Sequence, residues 1–376
     1  MTPFPKRPIG ELVLNLDRKR IPVKAADRRV GPFPYYGASG VVDYVDDYLF
    51  EGLHLLVAED GENLRSRSTA VAFLASGRFW VNNHAHVLQG NNENDTRYLS
   101  YALEATDISG YITGSAQPKL NQASLAAIQV PAPSLREQRA IAATLGALDD
   151  KIESNRRQRA LLRELGQCKY QAAINGDHRL ALLSEVSVSI ARGVAPKYAD
   201  ADPEAPRVIN QKCIRDGWVS LQPSRRMVDR VVKVEKRASS GDILVNSTGT
   251  GTLGRVARWH IGDVFVDGHV SVVKPDPKII PPTVLAYSLL GRESDIEDLA
   301  TGSTGQTELS PSRLAELAVV IPTAGDLSDL EETLLSIENR CDQLAEEMQR
   351  LAALRDALLP ELLSGRMRAA EIETAQ

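Results

Sequence analysis

The sequence predicts an α+β architecture built twice, with two duplicated mixed domains separated by two long helices that form an antiparallel coiled coil. Three observations carry this. The chain matches itself at a separation of 188 to 189 residues, two matching stretches show heptad-spaced apolar residues, and the remainder alternates short apolar runs with Gly and Asn/Asp turns. A period this long that occurs only twice marks a duplication and not a solenoid. The length of 376 residues allows two or three domains. The order read from the repeat is a domain over 1–133, a helix over 134–177, a second domain over 178–322, and a helix with its tail over 323–376.

Within the repeat, Thr113-Gly114-Ser115 recurs as Thr301-Gly302-Ser303. After a one-residue slip Leu120, Leu125, Ala126, Val130 and Pro133 recur as Leu309, Leu314, Ala315, Val319 and Pro322. Upstream, Val81, His84 and Val87 echo in Val266, His269 and Val272. The runs Leu53 to Val57, Phe79 to Val81, Asp242 to Val245 and Val264 to Val266 read as short strands, each pair followed by a helical candidate at Thr96 to Leu103 or Pro282 to Leu290.

The first long helix starts at Ser134-Leu135-Arg136-Glu137, which has the form of a capping box, and Ser328-Asp329-Leu330-Glu331 repeats it. Ile141, Leu145, Leu148 and Ile152 step by four, three and four. Leu330, Leu334, Ile337, Cys341, Leu344, Met348 and Leu351 continue the alternation in the second stretch, the pattern of a helix that buries a narrow stripe against another helix. Asn155 and Arg159 stand where the second helix has Leu344 and Met348, a place where polar residues fix register. Gly176 and Gly365 supply residues at which each helix can stop. About forty residues make each helix roughly 60 Å long. Duplicated units meeting about a twofold axis across the helices make the pair antiparallel.

Composition excludes several classes. Three cysteines (Cys168, Cys213, Cys341) lie far apart, which argues against structural zinc and suits a reducing compartment. No run of eighteen apolar residues occurs and the N-terminus lacks a signal-peptide core, so a cytoplasmic protein is expected. The net charge of -5 argues mildly against nucleic acid, but the average hides asymmetry. Residues 1–33 carry net +5 and 205–260 net +7, whereas 34–111 and the segment from 326 onward each carry net -7. A phosphate backbone could therefore meet local basic surfaces while acidic ones face elsewhere.

Motifs for bond-making chemistry are missing. Gly is nowhere followed by Lys, so there is no P-loop, and neither H-E-x-x-H nor the Asn/Asp-Pro-Pro-aromatic motif of amino-methyltransferases occurs. No catalytic residue and no resident cofactor or metal is expected. Gly249, Gly251 and Gly254 fit G-x-G-x-x-G, but Arg255 to Trp259 reads as a strand and no acidic residue follows at the required distance. That loop suits close approach to phosphates or base edges instead. His84 and His86 could share a strand face as metal ligands, form a turn with satisfied imidazoles, or contact a base or phosphate with Asn82 and Asn83. Tyr35-Tyr36 beside Gly37 could be a packed turn or a backbone and groove contact.

Val130 to Ala142 with Leu148-Asp149-Asp150-Lys151-Ile152 closely resembles the first conserved helix of specificity (S) subunits of Type I restriction-modification systems, and Leu358 to Gly365 looks like their C-terminal end. Tyr35 to Gly40, Glu59-Asp60-Gly61, Asn83 to Leu88 and Gly114 to Asn121 resemble one type of target recognition domain. The second copy departs at Gly302 to Leu309, where Glu308 replaces the lysine found at Lys119. The resemblance implies two target recognition domains, each reading half of a split sequence in double-stranded DNA. It implies helices that act as a ruler and dock two methyltransferase (M) subunits, with endonuclease/translocase (R) subunits added for cleavage. Roughly 60 Å of helix exceeds the one turn of B-DNA, about 34 Å, that separates neighbouring half-sites. S-adenosylmethionine, ATP and magnesium would belong to those partners, and the chain alone would be one part of a Type I site-specific deoxyribonuclease and adenine methyltransferase complex. Two alternatives stay open: a specificity subunit of a modification-only or Type II-like system, and a coiled-coil scaffold that binds no DNA.

The candidate DNA contacts in the first domain are Tyr35, Tyr36, Gly37, Ser39, Arg65, Arg67, Asn82, Asn83, His84, Gln117 and Lys119. Those in the second are Asn210, Lys212, Ser247, Thr248, Thr250, Arg255, Arg258, His269 and Gln306. The residues expected to pair the helices are Ile141, Leu145, Leu148, Ile152, Leu330, Leu334, Ile337, Leu344, Met348 and Leu351.

Overall fold

The computed structural model describes residues 3–301, 307–323 and 327–369. It forms two compact units, one of Met1–Arg156 with Glu346–Gln376 and one of Arg157–Ala345. Each unit therefore takes part of both long helices, which span Leu135–Ile174 and Leu327–Ser364.

In the first unit, the strands Val13–Asn15, Ala85–Gly90, His54–Ala58 and Ala72–Ala75 form an antiparallel sheet in that spatial order. Alternation along its central strands explains how it sits between two cores. Leu55, Val57 and Leu88 face a core shared with Tyr98, Leu99 and Ala102 of the helix Thr96–Glu104. Leu56, Ala85 and Val87 face the other way, onto Phe50, Phe79 and Val81 of a second sheet. With both faces covered, the strand His54–Ala58 is buried throughout and reads as a continuous apolar run. The second sheet has the order Gly40–Val45, Phe33–Gly37, Arg78–Val81, Phe50–Glu51, with Phe33–Gly37 and Arg78–Val81 parallel.

The second unit repeats this plan strand for strand. Ser187–Arg192, Val270–Pro275, Ile243–Asn246 and Val256–Arg258 form the antiparallel sheet. Arg225–Arg226, Arg207–Ile209, Val264–Val266 and Arg237–Ala238 form the other, again with one parallel pair in its middle. The helix Pro282–Leu289 takes the place of Thr96–Glu104. The second unit adds a strand pair that the first lacks among the described residues. This is the hairpin Ile214–Arg215 with Trp218–Val219, whose turn residues Asp216 and Gly217 both have positive φ, as a two-residue turn of the mirror-image type requires.

The long helices run antiparallel within each unit. In the first, Asp149 meets Arg355 at 2.8 Å and Lys151 meets Glu347 at 3.6 Å. In the second, Arg163 meets Glu338 at 3.2 Å and the Cys341 thiol lies 3.8 Å from the Arg159 carbonyl. Ile141, Leu145, Leu334, Ile337, Cys341 and Leu344 are buried, while Leu148, Ile152, Leu330, Met348 and Leu351 are half-buried. The stripe does two jobs. Ile141 and Leu145 pack with Leu358, Leu359, Leu362 and Leu363 of the other helix, and belong to the same core as Tyr98 and Leu99. Leu334 joins Tyr170 and Leu285 in the second unit.

Two local expectations are corrected. The second helix begins at Leu327, so Ser328 lies inside it, and the Glu331 carboxylate accepts the Thr283 and Val284 N–H groups at 3.1 and 3.0 Å instead of closing a capping box. In the first helix Ser134 does accept the Glu137 N–H, at 3.4 Å. Gly365 is left-handed at the end of the second helix (φ 73°), but Gly176 has no positive φ, because the chain leaves Ile174 directly toward the strand His178–Leu182. Among the described residues no helix is long and apolar enough to cross a membrane.

Candidate nucleic-acid interface

In the first unit five separate stretches converge at one edge of the two sheets. Gly37 ends a strand beside Asn82, and a Cβ there would lie 3.0 Å from Val42 Cγ1 and 3.3 Å from Asn82 Nδ2, so a larger residue would press on both side chains. The Asn82 N–H donates to the Tyr36 carbonyl and its Oδ1 accepts the His84 N–H at 2.8 Å. The His84 Nδ1 lies 2.8 Å from Asp60, whose backbone pairs with Lys119. Arg65 then fastens the 113–119 loop by donating to the Gly114 and Ser115 carbonyls at 2.6 and 3.0 Å. Ser39, Asn83 and Gln117 are exposed in these same loops.

An ionic network underlies the cluster. Arg20 donates to Glu59 at 2.8 Å and to the Ala85 carbonyl at 2.8 Å, and Lys119 reaches Glu59 at 3.3 Å. The buried His86 bridges Asp17 at 2.6 Å and the Leu120 carbonyl at 2.8 Å. Burial alone would raise the Asp17 carboxyl, but hydrogen bonds from His86 and the Val87 amide bring it below its ordinary value. Glu59 follows the same balance, with burial outweighed by Arg20, His86 and Lys119. His84 and His86 thus take different partners instead of converging, and no group of three or more metal-ligating side chains occurs among the described residues.

The second unit builds the equivalent edge with different residues. His269 Nδ1 lies 2.8 Å from the Thr248 hydroxyl, and Thr248 pairs with Glu308 as Asp60 pairs with Lys119. Glu308 is engaged by Arg192, which also donates to the Leu309 carbonyl at 2.6 Å. A carboxylate thus stands at the position of Lys119, and its cation comes from the end of the strand Ser187–Arg192. Thr250 and Lys212 are exposed nearby, on the glycine loop and on the 211–213 turn, and the Asn246 amide donates to the Gln211 and Thr252 carbonyls, tying the two together.

Residues 3–164 match the family model for the Type I restriction modification DNA specificity domain. A putative Type I restriction enzyme specificity subunit of Haemophilus influenzae is 37% identical over 143 residues, 38% of this chain and 36% of that protein. The specificity subunit of the EcoprrI Type I enzyme of Escherichia coli is 26% identical over 157 residues, 42% of this chain and 36% of that protein. The matched stretch thus spans about a third of either relative's length. Over the whole chain, the S subunit of a Type I restriction-modification system from M. genitalium shares the fold, with a TM-score of 0.67 and 18% identity, covering 96% of this chain and 99% of that one. Residues 3–164 are thus similar to the Type I specificity domain, and the chain as a whole shares the fold of one such S subunit.

Several residues of the chain that looked like surface contacts are used inside the fold. Tyr35 is 1% exposed, with its hydroxyl bonded to the Val23 backbone and Arg28 stacked on its ring. Tyr36 is half-buried edge-on against Phe79. Arg67 is tied to Glu104 and the Thr106 carbonyl, and Ser247 is buried against Ser271 at 2.6 Å. Asn210 is buried, with its side chain bonded to Lys212 N–H and the Pro223 carbonyl. Arg258 is 7% exposed and pairs with Asp342 of the second long helix at 2.9 Å. Alternation decides this: on the strand Val256–Arg258 the side chain of Arg258 points toward the helix pair, whereas Arg255 stays at the loop, donating to the Gly251 carbonyl at 2.7 Å. Gln306 lies outside the described residues. Arg20, Asp17 and Arg192 went unnoticed in the sequence, although a carboxylate at Glu308 already called for a cation nearby.

Proposed function

We propose that the chain is the specificity subunit of a Type I restriction-modification system, which reads a two-part sequence in double-stranded DNA, one half with residues 1–133 and the other with 178–322, and directs M and R subunits to it. The observation that carries the reading is the pair of matched loop clusters. The same strand topology delivers His84, Asp60 and Lys119 in one unit and His269, Thr248 and Glu308 in the other, with different chemistry at equivalent positions. One scaffold bearing two different sets of polar groups is what reading two different half-sites requires. The basic windows over 1–33 and 205–260 fit phosphate contact. S-adenosylmethionine, ATP and magnesium would act on the partner subunits.

The test is to replace residues 1–133 by the same region of another family member and sequence the methylated motif in cells that carry the M subunit. One half of the motif should change and the other stay. A change in both halves, or in neither, would refute the reading.

A further inference from the structure

Each unit carries a three-group node where its globular part meets the long helices. In the first, the Tyr101 hydroxyl, from the helix Thr96–Glu104, donates to Asp149 on the first long helix at 2.5 Å. Arg355 on the second long helix donates to the other oxygen of the same carboxylate at 2.8 Å. In the second unit, the Tyr287 hydroxyl, from Pro282–Leu289, donates to Glu338 on the second long helix at 2.8 Å, and Arg163 on the first donates to that carboxylate at 3.2 Å. The repeat register matches Asp149 to Glu338, so the carboxylates occupy equivalent places while the arginines come from opposite helices.

The nodes hold a side of each unit that packing leaves open. A cavity of about 480 Å³ borders Tyr101, Asp149 and Arg355, and one of about 330 Å³ borders Tyr287 and Arg163. The Tyr287 ring lies against the first helix at Gly166, where a Cβ would sit 2.2 Å from its hydroxyl oxygen. Glycine inside a helix is less stable than alanine, so its presence there answers to that close approach. Burial pushes both phenols well above their ordinary value, so each stays a donor through the neutral range.

We propose that these matched nodes are the joints that set the angle of each globular domain on the helix pair, which makes Tyr101 and Tyr287 positioning residues for the discrimination of spacer length. This rests on the reading of a two-part DNA site given above. A joint that loosens lets a reading domain tilt without altering the groups that touch bases, so half-site sequence and spacer length separate as readouts.

The full chain, assembled with its M subunit, is assayed for methylation of duplexes with constant half-sites and spacers one base pair shorter or longer than the preferred one. Tyr101→Phe combined with Tyr287→Phe keeps both rings and removes both bonds. It should leave the half-site sequences unchanged and raise methylation at the wrong spacers relative to the right one by roughly tenfold, the equivalent of one hydrogen bond to a charged group. Gly166→Ala, which retains every bonding group but displaces Tyr287, should act in the same direction. Amide exchange supplies a second reading, in which Thr96–Glu104 and Pro282–Leu289 lose protection relative to the long helices. Unchanged spacer discrimination in a variant that melts like the parent overturns the proposal, and so does unchanged exchange. A parent complex that methylates no two-part sequence sinks the functional reading instead, and the exchange result alone then decides whether the joints exist.

Discussion

Arg258 separates a structural role from a DNA contact more sharply than any other residue in the chain. Its guanidinium is buried and lies 2.9 Å from Asp342, with His260 Nδ1 3.4 Å from the same carboxylate. Burial raises the Asp342 pKa, as expected for a carboxylate whose ionised form depends on these neighbours. Arg258→Ala strands that carboxylate in a site from which water is excluded. Breaking one side of a buried pair costs about 3–5 kcal/mol. In a unit of this size each kcal/mol lowers the melting temperature by roughly 2–4 °C, so the second unit should melt between about 6 and 20 °C lower. The double substitution Arg258→Met with Asp342→Leu removes both charges and should recover most of the loss. Calorimetry of the full chain measures the shift. DNA titrations at several salt concentrations, run below the new transition, should show an unchanged salt slope. A variant that melts within about 2 °C of the parent while its slope falls by one unit would refute the argument and return Arg258 to the phosphate-contacting set.

Arg255→Ala, at the half-exposed loop position, should do the reverse, weakening DNA binding and lowering the salt slope by about one unit at little cost in stability. Glu308→Lys sets a cation against Arg192 and should lower the exchange protection of the Thr301 amide, which donates to the residue-308 carbonyl, with Arg192→Glu in the same chain restoring it. Folded-state pKa values of Asp17 and Glu59 lie below their ordinary ones, so the stability they contribute is complete above about pH 4 and is lost as pH falls through those lower values. Protection of the Val87 amide, which donates to Asp17 at 2.8 Å, should therefore hold from pH 7 to about 5 and fall only below about 4. Loss of protection already near pH 6 would refute this assignment. A chain ending at residue 345 should leave the second unit's melting unchanged and destabilise the first by roughly 3–6 kcal/mol, the worth of burying Leu362 and Leu363.

Periodicity made the large features of the fold legible. The heptad stripe located both long helices because a narrow apolar seam has no other common use, and the repeat placed the matching strands because their apolar runs survive in both copies. The convergence of loops at the sheet edge was legible only where glycine and loop residues announced it, as at Gly37, Asn82, His84 and Lys119. Burial was misjudged where a polar residue sits on, or directly follows, a strand with two covered faces. Arg258 and Ser247 carry groups that look exposed in sequence, yet their partners, Asp342 and Ser271, come from elements far away in the chain. The capping pattern at Ser328 failed for a related reason, since Glu331 is claimed by two amides of another helix. Sequence spacing shows which groups are available, and tertiary contacts decide where they are spent.

The division into units has a consequence for how the chain can fold. The second unit is continuous from Arg157 to Ala345, so every contact it needs is present once that segment exists. The first is discontinuous: the core built by Leu55, Leu99 and Ile141 is completed by Leu362 and Leu363, more than two hundred residues later in the sequence. Joining segments so far apart must close a long loop before the contacts repay it, and the intervening stretch shortens that loop only if it has already folded. The physical order that follows is the second unit first, carrying the start of the second long helix, which then presents the remainder of that helix to the waiting stripe at Ile141 and Leu145. Antiparallel pairing of the helices within each unit makes this work, because the C-terminal end of the second helix lies beside the N-terminal end of the first in the unit that contains both. Damage to the second unit, as in Arg258→Ala, should on this argument slow the refolding of the first, whereas damage at Leu362 or Leu363 should leave the folding rate of the second untouched.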